Sequence, residues 1–289
     1  MYNLSDMGVL KQLLFEAGFS FKKSLGQNFL INADVCPQMA EFACNKNMGV
    51  LEIGPGIGVL TKELSLAAKR VVAIELDERL KAILPETLAE CDNVEVIFGD
   101  AMKLDLREII KQKFSDCEGV CVCANLPYYI TSPIIMMLLE SKLPIENITV
   151  MVQKEAAERI CAKVGSRESG AVTVAVRYYS EPEVLFNVSR GSFMPAPNVD
   201  SAVISLNIRK EPPVKLKDEA KFFSFVKACF AQRRKTLLNG LMGSFGSKLS
   251  KQELQDVILS CGFSADIRGE RLGIPEFAKL SKALREAGC

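Results

Sequence analysis

Between residues 49 and 208 the chain exchanges two hydrophobic rhythms, and this alternation constrains its fold more than any other feature. Short, nearly continuous apolar runs occur at 49–54, 70–76, 93–99, 119–125 and 147–153, with two more at 183–189 and 202–208. Between the first five lie stretches whose apolar residues recur at helical spacing, such as Leu60, Leu64 and Ala67, then Leu80, Ile83, Leu84 and Leu88. A strand that is apolar along its whole length needs cover on both faces, and helical crossovers between such strands make the sheet parallel. The pattern predicts a doubly wound, Rossmann-like α/β domain over 1–208, with a helical lead-in over 1–48. Whether the last two strands run antiparallel is left open.

The stretch RKEPPVKLKDE (209–219) carries two prolines and seven charges and reads as a linker. Beyond it only helical spacing is found, at 219–231, 235–243, 251–261 and 275–285, which predicts a small all-helical C-terminal domain over 209–289. Charge divides at nearly the same place. Residues 1–200 hold 20 Lys and Arg against 26 Asp and Glu, whereas residues 201–289 hold 16 against 9. A basic C-terminal end suits a polyanionic partner, a solvated basic face being the alternative.

Two absences narrow the chemistry. The chain has no histidine, so Ser-His-Asp, Cys-His and HExxH mechanisms and His-ligated metals are excluded. Its ten cysteines include no CxxC pair, and Cys121 and Cys123 fall in an apolar run. Such thiols read as small buried hydrophobes in a reducing compartment, with no metal site. No run approaches the ~18 apolar residues of a membrane span, and the first twenty residues lack the pattern of a secretory signal. The expectation is a cytoplasmic protein that meets neither membrane nor metal.

The strongest local signal is LEIGPGIGVL (51–60), where a strand runs through Gly54, Gly56 and Gly58 into a helix. Glycines there permit a tight turn and close approach of a ligand to a helix start. A dinucleotide fingerprint would want Gly or Ala at 59, where Val59 stands. The E-x-G-x-G-x-G form instead suits a loop over which S-adenosylmethionine lies, a structural glycine turn being the alternative. Glu75 then ends the second strand, 21 residues after Gly54, where a carboxylate can accept both hydroxyls of an adenosine ribose. Asp100 follows the third strand, as an acceptor for the adenine amino group or as a helix cap.

The fourth strand runs into Asn125, Leu126, Pro127 and Tyr128, which are the candidate catalytic residues. An exocyclic adenine amine is a poor nucleophile because its lone pair is delocalised into the ring. The Asn125 side-chain oxygen and a backbone carbonyl in the Leu126–Pro127 turn would hold its two hydrogens. Proline shapes the turn and brings no competing N–H, and Tyr128 offers a flat face for the base. No strong base is required, in keeping with a chain that lacks histidine.

KKSLGQNFL (22–30), LEIGPGIGVLT (51–61), AIELD (73–77), NLPYYITSPI (125–134), MVQKEAAERI (151–160), FMPAPNVDSAV (193–203), AQRRKTL (231–237) and RLGIPEFAKL (271–280) occur in that order. Through them the chain resembles the ribosomal RNA adenine dimethyltransferase family, in particular its bacterial small-subunit branch, the one linked to kasugamycin sensitivity. The resemblance implies a class I methyltransferase sheet and an S-adenosyl-L-methionine site made by Asn28, Leu30, Gly54, Glu75, Asp100 and Asn125. It implies dimethylation of two adjacent adenosines in a hairpin loop near the 3′ end of small-subunit ribosomal RNA. The sequence shows no dedicated RNA-binding module, so docking on a pre-30S particle is expected to supply specificity, and a monomer is expected. Loop adenines suit this chemistry because they are already unpaired.

Phe193 is a candidate second wall for the base, or a core residue entering a strand. Arg233, Arg234 and Lys235 are candidate RNA-phosphate contacts, or a solvated face; Arg159, Lys163 and Arg167 pose the same choice. The weighed alternatives are the large-subunit enzyme of macrolide resistance, a non-catalytic assembly factor on the same fold, and a nicotinamide oxidoreductase.

Overall fold

In a computed structural model, the chain is described over residues 4, 6–16, 28–232 and 235–288. It forms two compact units, one drawn from 1–157 and 181–208, the other from 158–180 and 209–289.

The first unit opens with α1 (Met7–Glu16), β1 (Phe29–Leu30) and α2 (Val35–Ala43). The alternation follows: β2 (Gly49–Ile53), α3 (Val59–Ala67), β3 (Arg70–Glu75), a 3₁₀ turn (Glu78–Ala82), α4 (Leu84–Thr87), β4 (Val94–Phe98), α5 (Leu106–Lys113), β5 (Val120–Asn125), α6 (Tyr128–Glu140), β6 (Asn147–Gln153) and α7 (Lys154–Cys161). After α8 (Ala171–Tyr179), β7 (Ser180–Val188), β8 (Phe193–Met194) and β9 (Ser201–Ile208) complete the strands.

The main sheet has seven strands in the order β4-β3-β2-β5-β6-β9-β7. The pairs β3–β4, β2–β3, β2–β5 and β5–β6 are parallel, and β6–β9 is antiparallel, with Ile148 opposite Leu206 and Val150 opposite Ile204. For β9 this resolves the orientation that periodicity left open. β2 and β5 are buried along almost their whole length because helices lie on both sheet faces. On one face Cys121, Cys123 and Met151 pack with Met39 and Ala40 of α2 and with Leu64 of α3. A second cluster joins Leu13 and Leu14 of α1 to Phe29, Ile57, Leu80 and Leu84. The chain builds outward from β2 to β4 on one side and from β5 on the other, so the order reverses between β2 and β5. In such sheets that reversal opens a crevice at the strands' carboxyl ends.

The second unit contains α8, α9 (Glu219–Phe230), α10 (Leu237–Phe245), α11 (Lys251–Ser260) and α12 (Ile274–Glu286). Ser250 starts α11 with a reciprocal cap, its hydroxyl accepting from Glu253 N at 3.3 Å while the Glu253 carboxylate accepts from Ser250 N at 2.8 Å. Sequence reading kept 158–180 with the α/β domain, but these residues cluster with the C-terminal helices. Tyr178 packs edge-on against Phe223 at 5.3 Å between ring centroids, and the Tyr179 hydroxyl donates to Glu219 at 3.0 Å. Sequence reading assigns no helix to 171–179; these aromatic contacts show what α8 packs on. None of the described helices is long and apolar enough to cross a membrane.

Candidate active site

The carboxyl ends of β2, β3, β4 and β5 face one open cleft, the place where ligands bind in sheets of this kind. Its walls include Asn28, Leu30, Gly54, Glu75, Asp100, Asn125, Tyr128 and Phe193. Residues singled out from six separate stretches of sequence therefore converge on one site.

The turn after β2 depends on its glycines in different ways. Gly54, Gly56 and Gly58 all have left-handed φ values, of +72°, +59° and +92°. A Cβ on Gly58 would lie 2.8 Å from Leu88 Cδ2, so this glycine also makes room for packing. A Cβ on Gly54 would meet nothing within 4 Å; the space beside that backbone is open, as a ligand lying over the turn requires.

Glu75, at the end of β3, is 6% exposed. One of its carboxylate oxygens accepts from Gly56 N at 3.1 Å, the other from Asp77 N at 2.7 Å. These bonds fix the carboxylate against the glycine turn while leaving lone pairs for further donors. Burial raises its pKa, against the lowering effect of the two backbone N–H groups. Asp77, itself buried, holds Arg79 through Nε at 2.8 Å and Nη2 at 2.5 Å. Asp100 accepts from Met102 N at 3.0 Å and lies 3.4 Å from Lys103 Nζ. It is thus a turn-forming aspartate on the cleft wall, while the cap of the next helix, α5, falls to Asp105, whose side chain accepts from Glu108 N at 3.0 Å.

At the end of β5, no donor or acceptor among the described residues reaches the Asn125 amide. The Pro127 carbonyl is occupied, accepting from Ile130 N and Thr131 Oγ1, each at 3.1 Å. No described group donates to the Leu126 carbonyl, so of the two carbonyls considered from sequence it is Leu126 that has an acceptor to spare. Tyr128 begins α6 half-buried, its hydroxyl 2.7 Å from Ser201 Oγ at the start of β9, which pins the ring. Burial raises the phenol pKa, opposed by the Ser201 bond, so it stays a neutral surface rather than a base.

A two-stranded ribbon supplies the remaining wall. β1 and β8 pair antiparallel, with Leu30 opposite Phe193 and Phe29 opposite Met194. Ile31 N donates to the Ser192 carbonyl at 2.9 Å and reinforces the pairing. Asn28 enters the site at the head of this ribbon. Phe193 is 4% exposed and packs in the same cluster as Leu30, so it is a core residue whose edge borders the cleft.

Among the RNA-contact candidates, Arg233 and Arg234 lie outside the described residues, as does the 22–27 part of the KKSLGQNFL stretch. Lys235 is exposed in the second unit, just ahead of α10. Among the described residues no group of three or more Cys, Asp or Glu is arranged to hold a metal ion.

Sequence reasoning missed three residues. Asp77, two residues on from Glu75, lends it a backbone N–H, and Ser201 pins Tyr128 from 73 residues away in the chain. Glu52, inside the glycine motif, is 1% exposed on the cleft wall, with its Oε2 unpartnered among the described residues. Burial pushes its pKa up to about 8, with Thr61 pulling down and Glu75 adding to the rise. A carboxyl in a run that reads as a buried strand was the available signal.

A family model described as ribosomal RNA adenine dimethylase matches residues 18–262. A Bacillus licheniformis protein named ribosomal RNA small subunit methyltransferase A is 50% identical over 278 residues, 96% of this chain and 95% of that protein. A Geobacillus kaustophilus protein of the same name is 49% identical over 284 residues, 98% of this chain and 97% of that one. Among solved structures, a dimethyladenosine transferase from Plasmodium falciparum covers 90% of this chain and 98% of its own, at 27% identity and a TM-score of 0.70. The 23S rRNA methyltransferase ErmE covers 89% of this chain and 100% of its own, at 27% identity and a TM-score of 0.63.

Proposed function

The chain belongs to the ribosomal RNA adenine dimethylase family, and from that premise we propose that it dimethylates the N6 amines of two adjacent adenosines in a hairpin loop near the 3′ end of small-subunit ribosomal RNA, using S-adenosyl-L-methionine. The observation that carries this reading is the pair of uncommitted acceptors, the Asn125 amide oxygen and the Leu126 carbonyl, beside a pinned aromatic ring in the glycine- and carboxylate-lined cleft.

The cleft fits the cofactor. Gly54 leaves room for it, Glu75 has acceptor capacity for a ribose diol, Asp100 suits its adenine amino group, and Asn28, Leu30 and Asn125 complete the wall. S-adenosylmethionine, when bound, supplies an electrophilic methyl group on a positively charged sulfur. The chain's own residues hold the adenine. In the first transfer Asn125 and Leu126 accept the two amine hydrogens and draw the nitrogen out of conjugation; in the second, one of them holds the single hydrogen that remains, and each displaced proton leaves to solvent. Tyr128 stacks on the base, and Phe193 is the proposed wall opposite. Pro127 shapes the turn that presents the Leu126 carbonyl. Such positioning can supply up to ~7–11 kcal/mol without a general base.

The protein is proposed to work as a monomer in the cytoplasm, on a pre-30S particle, with the helical C-terminal region and Arg233, Arg234 and Lys235 touching ribosomal RNA. The test is transfer of label from S-adenosylmethionine to small subunits of an undermethylated strain, followed by nucleoside digestion. Label in dimethyladenosine from the 3′-end hairpin is expected. Asn125→Ala should fold and lose at least ~100-fold in turnover, the scale of losing one preorganised polar group. Full activity in that variant overturns the acceptor role; cofactor binding without any label favours a non-catalytic assembly factor.

A further inference from the structure

The second unit holds a groove with about 1690 Å³ of non-protein space, formed by the 214–218 segment, the first turns of α9, the end of α10 and one face of α12. Its floor is apolar and aromatic, with Phe222, Phe225 and Phe245. Its rim is cationic: seven Lys and Arg side chains line it against a single acid, Asp218. Those seven are close to half of the 16 basic residues in 201–289, so the C-terminal charge excess has a definite location.

The rim is only partly neutralised from within. Lys221 lies 3.8 Å from Asp218, Lys282 lies 3.9 Å from Glu286, and Lys279 donates to the Cys261 carbonyl at 3.0 Å. Among the described residues the side chains of Lys215, Lys217, Lys248 and Arg285 have no acidic partner. Like charges gathered round one concavity repel each other until a polyanion shares it. Lysines on flexible stems suit phosphates spaced along a strand, and the partly exposed Phe245 ring offers a stacking face for an unpaired base.

We propose that this groove binds a single-stranded stretch of RNA sugar-phosphate backbone, as an RNA-binding surface separate from the methyl-transfer cleft. The proposal rests on the reading of RNA as this protein's substrate. The groove would add affinity without sequence readout, because phosphate contacts position a complex and do not specify it.

The test uses the full chain carrying Lys215→Ala, Lys217→Ala and Lys248→Ala together. All three side chains are exposed, so the fold should survive, and thermal unfolding checks this. Binding to an oligouridylate and to undermethylated small subunits is measured over a salt series. Both should weaken, and the salt slope for the oligouridylate should become shallower by about 2, at ~0.7 for each phosphate no longer neutralised. The corresponding triple Lys→Arg variant should restore binding, and turnover at saturating subunits should stay unchanged. An unchanged slope and affinity overturn the proposal. So does weakened binding to subunits with none to oligouridylate, which would assign the groove to an acidic protein surface. If the wild-type chain methylates no adenosine while the variant still loses oligouridylate binding, the groove stands and the dimethylation reading falls.

Discussion

Gly54 and Gly58 lie in one turn, both in left-handed backbone at φ of +72° and +92°, yet alanine should fail at each for a different reason. The left-handed conformation costs an L-residue ~1–2 kcal/mol at either position. At Gly58 the new Cβ would also come within 2.8 Å of Leu88 Cδ2 and 3.3 Å of Leu88 Cγ. Leu88 is held in the cluster with Ile57, Leu80 and Leu84, so it cannot swing into water, and such overpacking adds ~1–3 kcal/mol. Gly58→Ala should therefore lose about 2–5 kcal/mol of stability by these two contributions. At Gly54 nothing lies within 4 Å of the added methyl, so the stability loss is the backbone cost alone. The methyl would instead occupy cleft space, and the Kd for S-adenosylmethionine should rise at least ~10-fold, equivalent to ~1.4 kcal/mol. Urea unfolding followed by circular dichroism reads the first quantity and titration calorimetry the second. A wild-type midpoint for Gly58→Ala, or wild-type affinity for Gly54→Ala, would refute the reasoning. Equal stability losses in the two variants would refute the steric distinction between them.

Tyr128 separates ring from hydroxyl. Tyr128→Phe loses the Ser201 bond, worth ~0.5–1.5 kcal/mol, and should keep turnover within about tenfold of wild type; Tyr128→Ala loses a stacking face worth ~1–3 kcal/mol per base and should cut kcat/KM by roughly 5–150-fold. Similar losses in both would show that the ring is not the working surface. Glu52 should make stability fall with pH: an unfolded chain releases this proton near 4.5 while the folded protein keeps it to about 8. The contribution is complete below pH 4.5 and is lost at up to ~1.4 kcal/mol per pH unit as pH climbs toward the folded value. Glu52→Gln should flatten that decline between mildly acidic and mildly alkaline buffer, as read from urea midpoints; parallel pH profiles would rule it out.

Much of the fold was legible because its information is local. The seven apolar runs coincide with the seven strands of the main sheet, and for β2, β3, β5, β6 and β9 burial on both faces writes itself directly into composition. The glycine turn, Glu75, Asp100 and Asn125 to Tyr128 were legible for a related reason: each lies at a strand's carboxyl end, and a parallel sheet sends all such ends to one side. Asn28, Leu30 and Phe193 were different. From residue types alone they read as a cap, an apolar position and a core ring; only the resemblance raised the first two.

What tertiary structure alone decided is what depends on partners distant in the chain. The antiparallel insertion of β9 beside β6, the β1–β8 ribbon that carries Asn28 and Leu30 to the cleft, and the Ser201 bond that pins Tyr128 join segments with no shared periodicity. Which carbonyl of the Leu126–Pro127 turn is free followed from where the first turn of α6 found its acceptors. The basic residues after 201 were visible as a count, but their gathering round one groove is a product of helix packing. Periodicity belongs to each segment's own backbone, whereas these features arise from which surfaces meet once the segments have folded.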